Sequence, residues 1–153
     1  MTFRRKAREY ALQMLFQFDM TRKREGLTEQ FWAHRKSIPA VRTYSDRLVE
    51  GVLNHLEEIN RMIREYTQHW SLERIAIVDR NVLRFAIYEI LYMEEIPAKV
   101  TIDEAIEITK KYGEEGSGAF VNGILDRIVK EDPKALFKKE EIKRNLHAGN
   151  NCR

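Results

Sequence analysis

Cysteine is nearly absent: the 153 residues hold one, Cys152, which excludes an internal disulfide framework and any zinc site built on cysteines. That usage fits a reducing cytoplasm. No apolar run approaches the roughly 18 residues of a membrane span, and the N-terminal residues lack the apolar stretch of a secretory signal. A soluble, retained protein without membrane contact is expected. Period-two alternation between turn residues is also missing, so strands are not expected. The seven glycines match neither GxGxxG nor GxxxxGK[ST], and no strand precedes them, so a nucleotide cradle is not indicated.

Catalytic signatures are equally scarce. His34, His55, His69 and His147 fall on separate segments without a partner at HExxH or CxxC spacing. His55 and His69 lie on what reads as one helix, about 21 Å apart along its axis, too far to share an ion. No nucleophile elbow or Cys/His pair is present. Nothing nominates a reaction or a cofactor, and the chain reads as a binding protein.

What is present is helical spacing from end to end. A chain of this length is the usual size of one domain and can bury well over half of its unfolded surface. Charged residues make up 33% of it, above the ordinary quarter, so a surface dense in ion pairs is expected. The first helix runs from about Arg4 to Met20, with Ala7, Tyr10, Ala11, Met14, Leu15 and Phe18 on one face. A short helix from Thr28 to Lys36 precedes Pro39, and Thr43 is placed to cap a long helix to about His69. After a turn at Ser71, Val78 to Met93 is apolar on most of its circumference and reads as a buried central helix. Pro97 ends it, and Thr101-Ile102-Asp103-Glu104 has capping-box spacing. That helix stops at Gly113, with Glu107 and Lys111 at the favourable i,i+4 order. Another runs from Ser117 or Gly118 to Glu131. A tail helix follows from Lys134 to Leu146, and the last six residues are expected to fray. The fold class is all-α, about seven helices in one domain, with a three-helix subdomain over 1–70, a helical subdomain over 71–132 and a charged tail over 133–153.

Charge is polarised. Residues 1–24 carry seven Lys and Arg against two acids, a surplus of five; the remainder carries twenty against twenty-two. A basic arm on a near-neutral body suits a phosphate backbone, and a solvated helix start explains it as well. A helical wheel groups Arg5, Arg8, Leu12 and Phe16 on a flank of the first helix. Arginines beside a ring suit single-stranded nucleic acid. Leu12 and Phe16 packing beneath the second half of the molecule is the competing reading. Gly116-Ser117-Gly118 at a helix start is a weaker anion candidate.

Four segments carry a resemblance. They are Arg4-Arg5-Lys6-Ala7-Arg8-Glu9 with Gln13, Leu15 and Phe16; Asp79 through Glu89; Pro97 to Val100 with Ile102 through Ile106; and Phe120-Val121-Asn122-Gly123-Ile124-Leu125-Asp126. In this order, over roughly residues 4–130, the chain resembles the NusB family. The resemblance implies a non-catalytic, all-helical factor that binds boxA single-stranded RNA with NusE, a ribosomal small-subunit protein, and joins RNA polymerase and other Nus factors in antitermination. It also implies RNA contacts at Arg4, Arg5, Lys6, Arg8, Gln13, Phe16, Arg80 and Phe120, with Asp79 near the NusE surface. Monomer and homodimer are both open. Ala119 stands where the family often has a basic residue, which implies a weaker phosphate contact there. For Phe120, base stacking competes with a core role, because Val121, Ile124, Leu125 and Ile128 have core spacing and Asn122 with Gly123 suits close helix packing. The rival classes are a DNA-binding helix-turn-helix regulator, for which no recognition helix is found, and an RNA methyltransferase, for which the catalytic α/β domain has no room.

Overall fold

The computed structural model describes residues 3–151. Cys152, on which the disulfide and zinc arguments rest, lies outside the described residues. Eight α-helices are present among the described residues: α1 Phe3–Thr21, α2 Leu27–Ala33, α3 Pro39–Asn54, α4 Leu56–Tyr66, α5 Ile77–Tyr92, α6 Ala98–Tyr112, α7 Ser117–Glu131 and α8 Pro133–Asn151. A 3-10 turn at Leu72–Arg74 joins α4 to α5, and no strand occurs among the described residues. None of their helices is long and apolar enough to cross a membrane.

Proline sets several helix starts. Pro39 is the first residue of α3 behind an extended Ile38, as its fixed φ and missing N–H favour. Thr43 therefore sits inside α3 and caps nothing. Pro97 plays the flanking role for α6, so Thr101 is interior as well, and its hydroxyl donates to Glu89 Oε1 at 2.8 Å. The expected capping box is thus a tertiary contact. Gly116, at φ 88°, supplies the left-handed entry to α7, a conformation that residues with a β-carbon disfavour.

The expected single helix to His69 is two. At His55 the backbone leaves helical geometry (φ −121°, ψ 24°). Its N–H is shared between the Gly51 and Val52 carbonyls at 3.2 and 3.1 Å. The imidazole stacks on Tyr92 of α5, with centroids 4.2 Å apart. Cross-helix packing overrides the local periodicity here, and four helices precede Trp70. His69 lies beyond α4, so the two histidines do not share a helix. At the far end α8 stays helical through Asn151, past the point where fraying was expected.

α5 is the hub, packing on α1, α3, α4, α6, α7 and α8. Val82, Leu83, Phe85, Ala86, Ile87 and Ile90 are fully buried, in agreement with the apolar circumference of its sequence. The core face of α1 is likewise Ala7, Ala11, Met14 and Leu15, while Tyr10 and Phe18 are half-buried at its margins. Burial of this apolar surface, near 25 cal/mol per Å², is the main force holding the bundle.

The approach of α3 to α5 is close at Gly51. A β-carbon there would lie 2.0 Å from Tyr88 Cζ. Alanine normally improves a helix interior by about 0.5–1 kcal/mol over glycine, but here it forces the ring away. Gly51→Ala should lower stability in chemical denaturation by about 1–3 kcal/mol. A stabilised variant would show that Tyr88 can yield without cost.

Candidate nucleic-acid interface

The basic start of α1 is divided by its packing. Phe3 is exposed and Lys6 is exposed, with its ammonium 4.9 Å from the Tyr10 ring centre. Arg4 is half-buried, its guanidinium 5.6 Å from the Tyr44 ring. Arg5 is half-exposed and forks onto Glu104 of α6 with contacts of 2.6 and 3.0 Å. The fourth cation goes inside. Arg8 is 1% exposed and makes a bidentate pair with Glu89 of α5 at 2.6 and 2.9 Å.

The assignment of Arg8 as an RNA contact is therefore corrected. Reaching a phosphate would strip the buried Glu89 carboxylate of its countercharge, which costs several kcal/mol. Leu12 is also buried, so the expected flank of Arg5, Arg8, Leu12 and Phe16 splits between core and surface. Phe16 remains 40% exposed and Gln13 half-buried. With Lys6 and Met20 they form one stripe at helical spacing. Met20, 67% exposed, belongs to that stripe and was not singled out from the sequence.

Acidic groups border this surface. Glu9 accepts from Lys111 at 2.8 Å across the α1–α6 seam, so Lys111 does not pair with Glu107 as its spacing suggested. Glu107 meets Lys110 instead, at 3.4 Å. The Lys110–Glu107 pair is exposed and weak, whereas Glu9 is largely buried and holds Lys111 at the seam.

The start of α5 joins two sides of the molecule. Arg80 donates from Nε to Asp19 of α1 at 2.9 Å and from Nη1 to the Leu72 and Ile75 carbonyls at 3.2 Å, leaving its side chain 15% exposed. It positions the α1–α5 junction, with only an edge free for a ligand. Asp79 points to the other side and is buried. Burial pushes its carboxyl above the ordinary range, Ser117 at the start of α7 opposes that by hydrogen bonding, and Glu114 adds to it. The expected protein contact through Asp79 is corrected, because its buried carboxyl has little surface to offer a partner.

On α7, Phe120 is half-buried at the edge of the core and stacks on Trp70, with centroids 6.5 Å apart and planes 24° from parallel. Val121, Ile124, Leu125 and Ile128 are buried as their spacing requires. Asn122 and Gly123 face outward, and a β-carbon on Gly123 would meet nothing within 4 Å. Close helix packing does not explain them. Gly118 is different, because its β-carbon would touch Ile106 and Thr109 of α6 at 3.7 Å, and that half of the Gly116–Gly118 segment serves packing.

The fold and this surface define an all-helical bundle with a basic, ring-bearing first helix, and comparison with known proteins gives the class its name. The NusB family model matches residues 5–130, so the chain belongs to the NusB family of transcription antitermination proteins. It is 47% identical over 141 residues to the transcription antitermination protein NusB of Desulfitobacterium hafniense strain DCB-2, covering 90% of this chain and 93% of that one. The structure of Thermotoga maritima NusB superposes with a TM-score of 0.78 at 44% identity, over 88% of this chain and 96% of that chain. A crystal structure of NusB and NusE in complex with double-stranded RNA superposes at 0.76 with 28% identity, over 85% and 98%. Family membership replaces the helix-turn-helix alternative.

Two outcomes follow from the buried charges. Arg8→Gln should cost about 3–5 kcal/mol of folding stability, read by denaturant titration, whereas its folded fraction should bind RNA like the parent. Asp19, buried, accepts from Arg80, Asn81 and Arg84 at 2.8–2.9 Å. Burial alone would raise its carboxyl, and these partners outweigh it and hold the pKa below the ordinary value. The stabilisation is therefore complete above the unfolded pKa of about 3.9 and is lost as pH falls through the lower folded value. Asp19→Asn should weaken the fold near neutrality and remove this part of the acid slope. An unchanged slope would place the acid sensitivity elsewhere.

Proposed function

We propose that the chain is a non-catalytic cytoplasmic adaptor that binds boxA single-stranded RNA together with NusE and carries both to RNA polymerase and the other Nus factors. The observation carrying this reading is the exposed Phe16 on α1. That helix leaves Phe16 exposed, with Met20 one turn further on, along the same stripe as Lys6, Gln13 and the half-exposed Arg5. Rings accept unstacked bases while cations take phosphates. The kinship with a NusB seen with NusE and RNA adds support.

In this reading Arg4, Arg5 and Lys6 meet phosphates, and Gln13, Phe16 and Phe120 meet bases. Arg80 offers its free edge while holding the α1–α5 junction. Arg8 and Asp79 act from within, by fixing helix positions. A near-neutral body offers few phosphate contacts alone and a surface shared with NusE adds more, so RNA and NusE should bind with reciprocal coupling.

Binding of boxA and scrambled RNA, each with and without saturating NusE, tests the proposal across a salt series. Each phosphate contact on a single strand contributes about −0.7 to the log–log slope. Arg5→Gln with Lys6→Gln should flatten the slope, and Phe16→Ala should weaken binding by about 1–3 kcal/mol with an unchanged melting temperature. Equal affinity with and without NusE would defeat the adaptor reading, and an unchanged slope would remove the arm from the site.

A further inference from the structure

We propose that Trp70 and Phe120 form a second base-binding pocket, one that takes a single nucleobase of the bound RNA; this rests on the RNA-binding reading above. The two rings belong to different elements. Phe120 lies in the first turn of α7, whereas Trp70 follows the end of α4 and is 51% exposed. They are 24° from parallel with centroids 6.5 Å apart. The two rings already face each other and Trp70 is exposed, so an outward swing of its side chain would open the ring faces to a base.

The backbone is committed to this arrangement. Gln68 and His69 are both left-handed, at φ 58° and 64°, a conformation that costs residues with side chains and that recurs at binding sites. The turn is fixed by the His69 N–H on the Arg64 carbonyl at 2.7 Å, and it delivers Trp70 to the flank of α7. The hollow beside the rings measures about 230 Å³ and includes Tyr66, Gln68 and Arg127. That is smaller than a site for a larger organic ligand and shorter than a groove for a helix. Arg127 donates to the Tyr66 carbonyl at 3.3 Å with its side chain half-exposed. A guanidinium and an amide at the rim of two flat rings match the needs of one base and its phosphate.

Gly123 completes the reading. It follows Phe120 by three residues and precedes Arg127 by four, so the three share one face of α7. Open space surrounds its missing β-carbon. Alanine would fit and improve the helix, and a ligand passing over that face would use the room the glycine leaves.

The test uses the full chain with boxA RNA and NusE. Trp32 is buried and Trp70 exposed, so the difference in emission between the parent and Trp70→Phe isolates Trp70. RNA should quench that difference signal. Trp70→Ala and Gly123→Leu should each bind RNA roughly five- to a hundredfold more weakly, with melting temperatures near the parent's. RNAs carrying one abasic nucleotide at successive positions provide a control independent of protein folding. One position should lose affinity for the parent and not for Trp70→Ala. Quenching by NusE alone would assign Trp70 to a protein contact and overturn the pocket. So would parental RNA affinity in both variants with no quench, an outcome that leaves the RNA reading standing. Failure of the parent to bind any RNA would overturn both.

Discussion

The bidentate pair between Arg8 and Glu89 is the constraint on which the rest of the bundle depends. Both side chains are withdrawn from water, 1% and 0% exposed, and burying two charges is costly unless every lone pair and proton is met. The surrounding helices meet that need. Tyr44 of α3 lies 3.4 Å from the Arg8 guanidinium, and Thr101 of α6 donates to the carboxylate. Lys138 of α8 donates to the Glu89 carbonyl at 2.7 Å. Burial pushes the Lys138 ammonium down to about 8, opposed by Glu89. Glu89 thus receives polar contacts from three other helices, and Arg8 brings in Tyr44 from a fourth.

A second buried cluster lies at the opposite end of the same helix pair. Asp19 of α1 gathers Arg80, Asn81 and Arg84 of α5. With Arg8 on Glu89 and Asp19 on Arg80, the two helices run antiparallel and their register is pinned at both ends. Apolar packing alone tolerates sliding and repacking, whereas a displaced buried ion pair does not. This register turns Phe16 outward while Leu12, one turn earlier, remains in the core. The exposed ring of the proposed RNA surface is in that sense a consequence of charges that never reach the surface.

The same partition explains why a run of four cations does not act as one arm. Arg8 is held by Glu89 and Arg5 is shared with Glu104, so the face proposed to meet RNA is less positive than its sequence. Lys111 on Glu9 adds to that balance at the α1–α6 seam. A partner that brings further positive charge suits such a surface. α8 lies beyond residues 5–130 matched by the family model, yet it is seated by buried Ala135 and Lys138 and by Lys134 on Glu58 at 2.7 Å.

The sequence by itself determined that the chain is helical and which faces of α1, α5 and α7 are apolar, although it set the starts of α3 and α6 too late, at Thr43 and Thr101 instead of Pro39 and Ala98. Those features follow from near-neighbour geometry and side-chain periodicity, which are local. It also placed the chain in its family through four spaced segments. Tertiary structure alone decided the break at His55, where the imidazole finds Tyr92, and the inward turn of Thr101 to Glu89. It also decided that Arg8 is structural, that Phe16 is exposed, and that Trp70 reaches Phe120. The physical reason is the same in each case. Whether a polar or aromatic side chain is buried depends on a partner distant along the chain, and Arg8 and Glu89, separated by 81 positions, share no local pattern that could announce their contact.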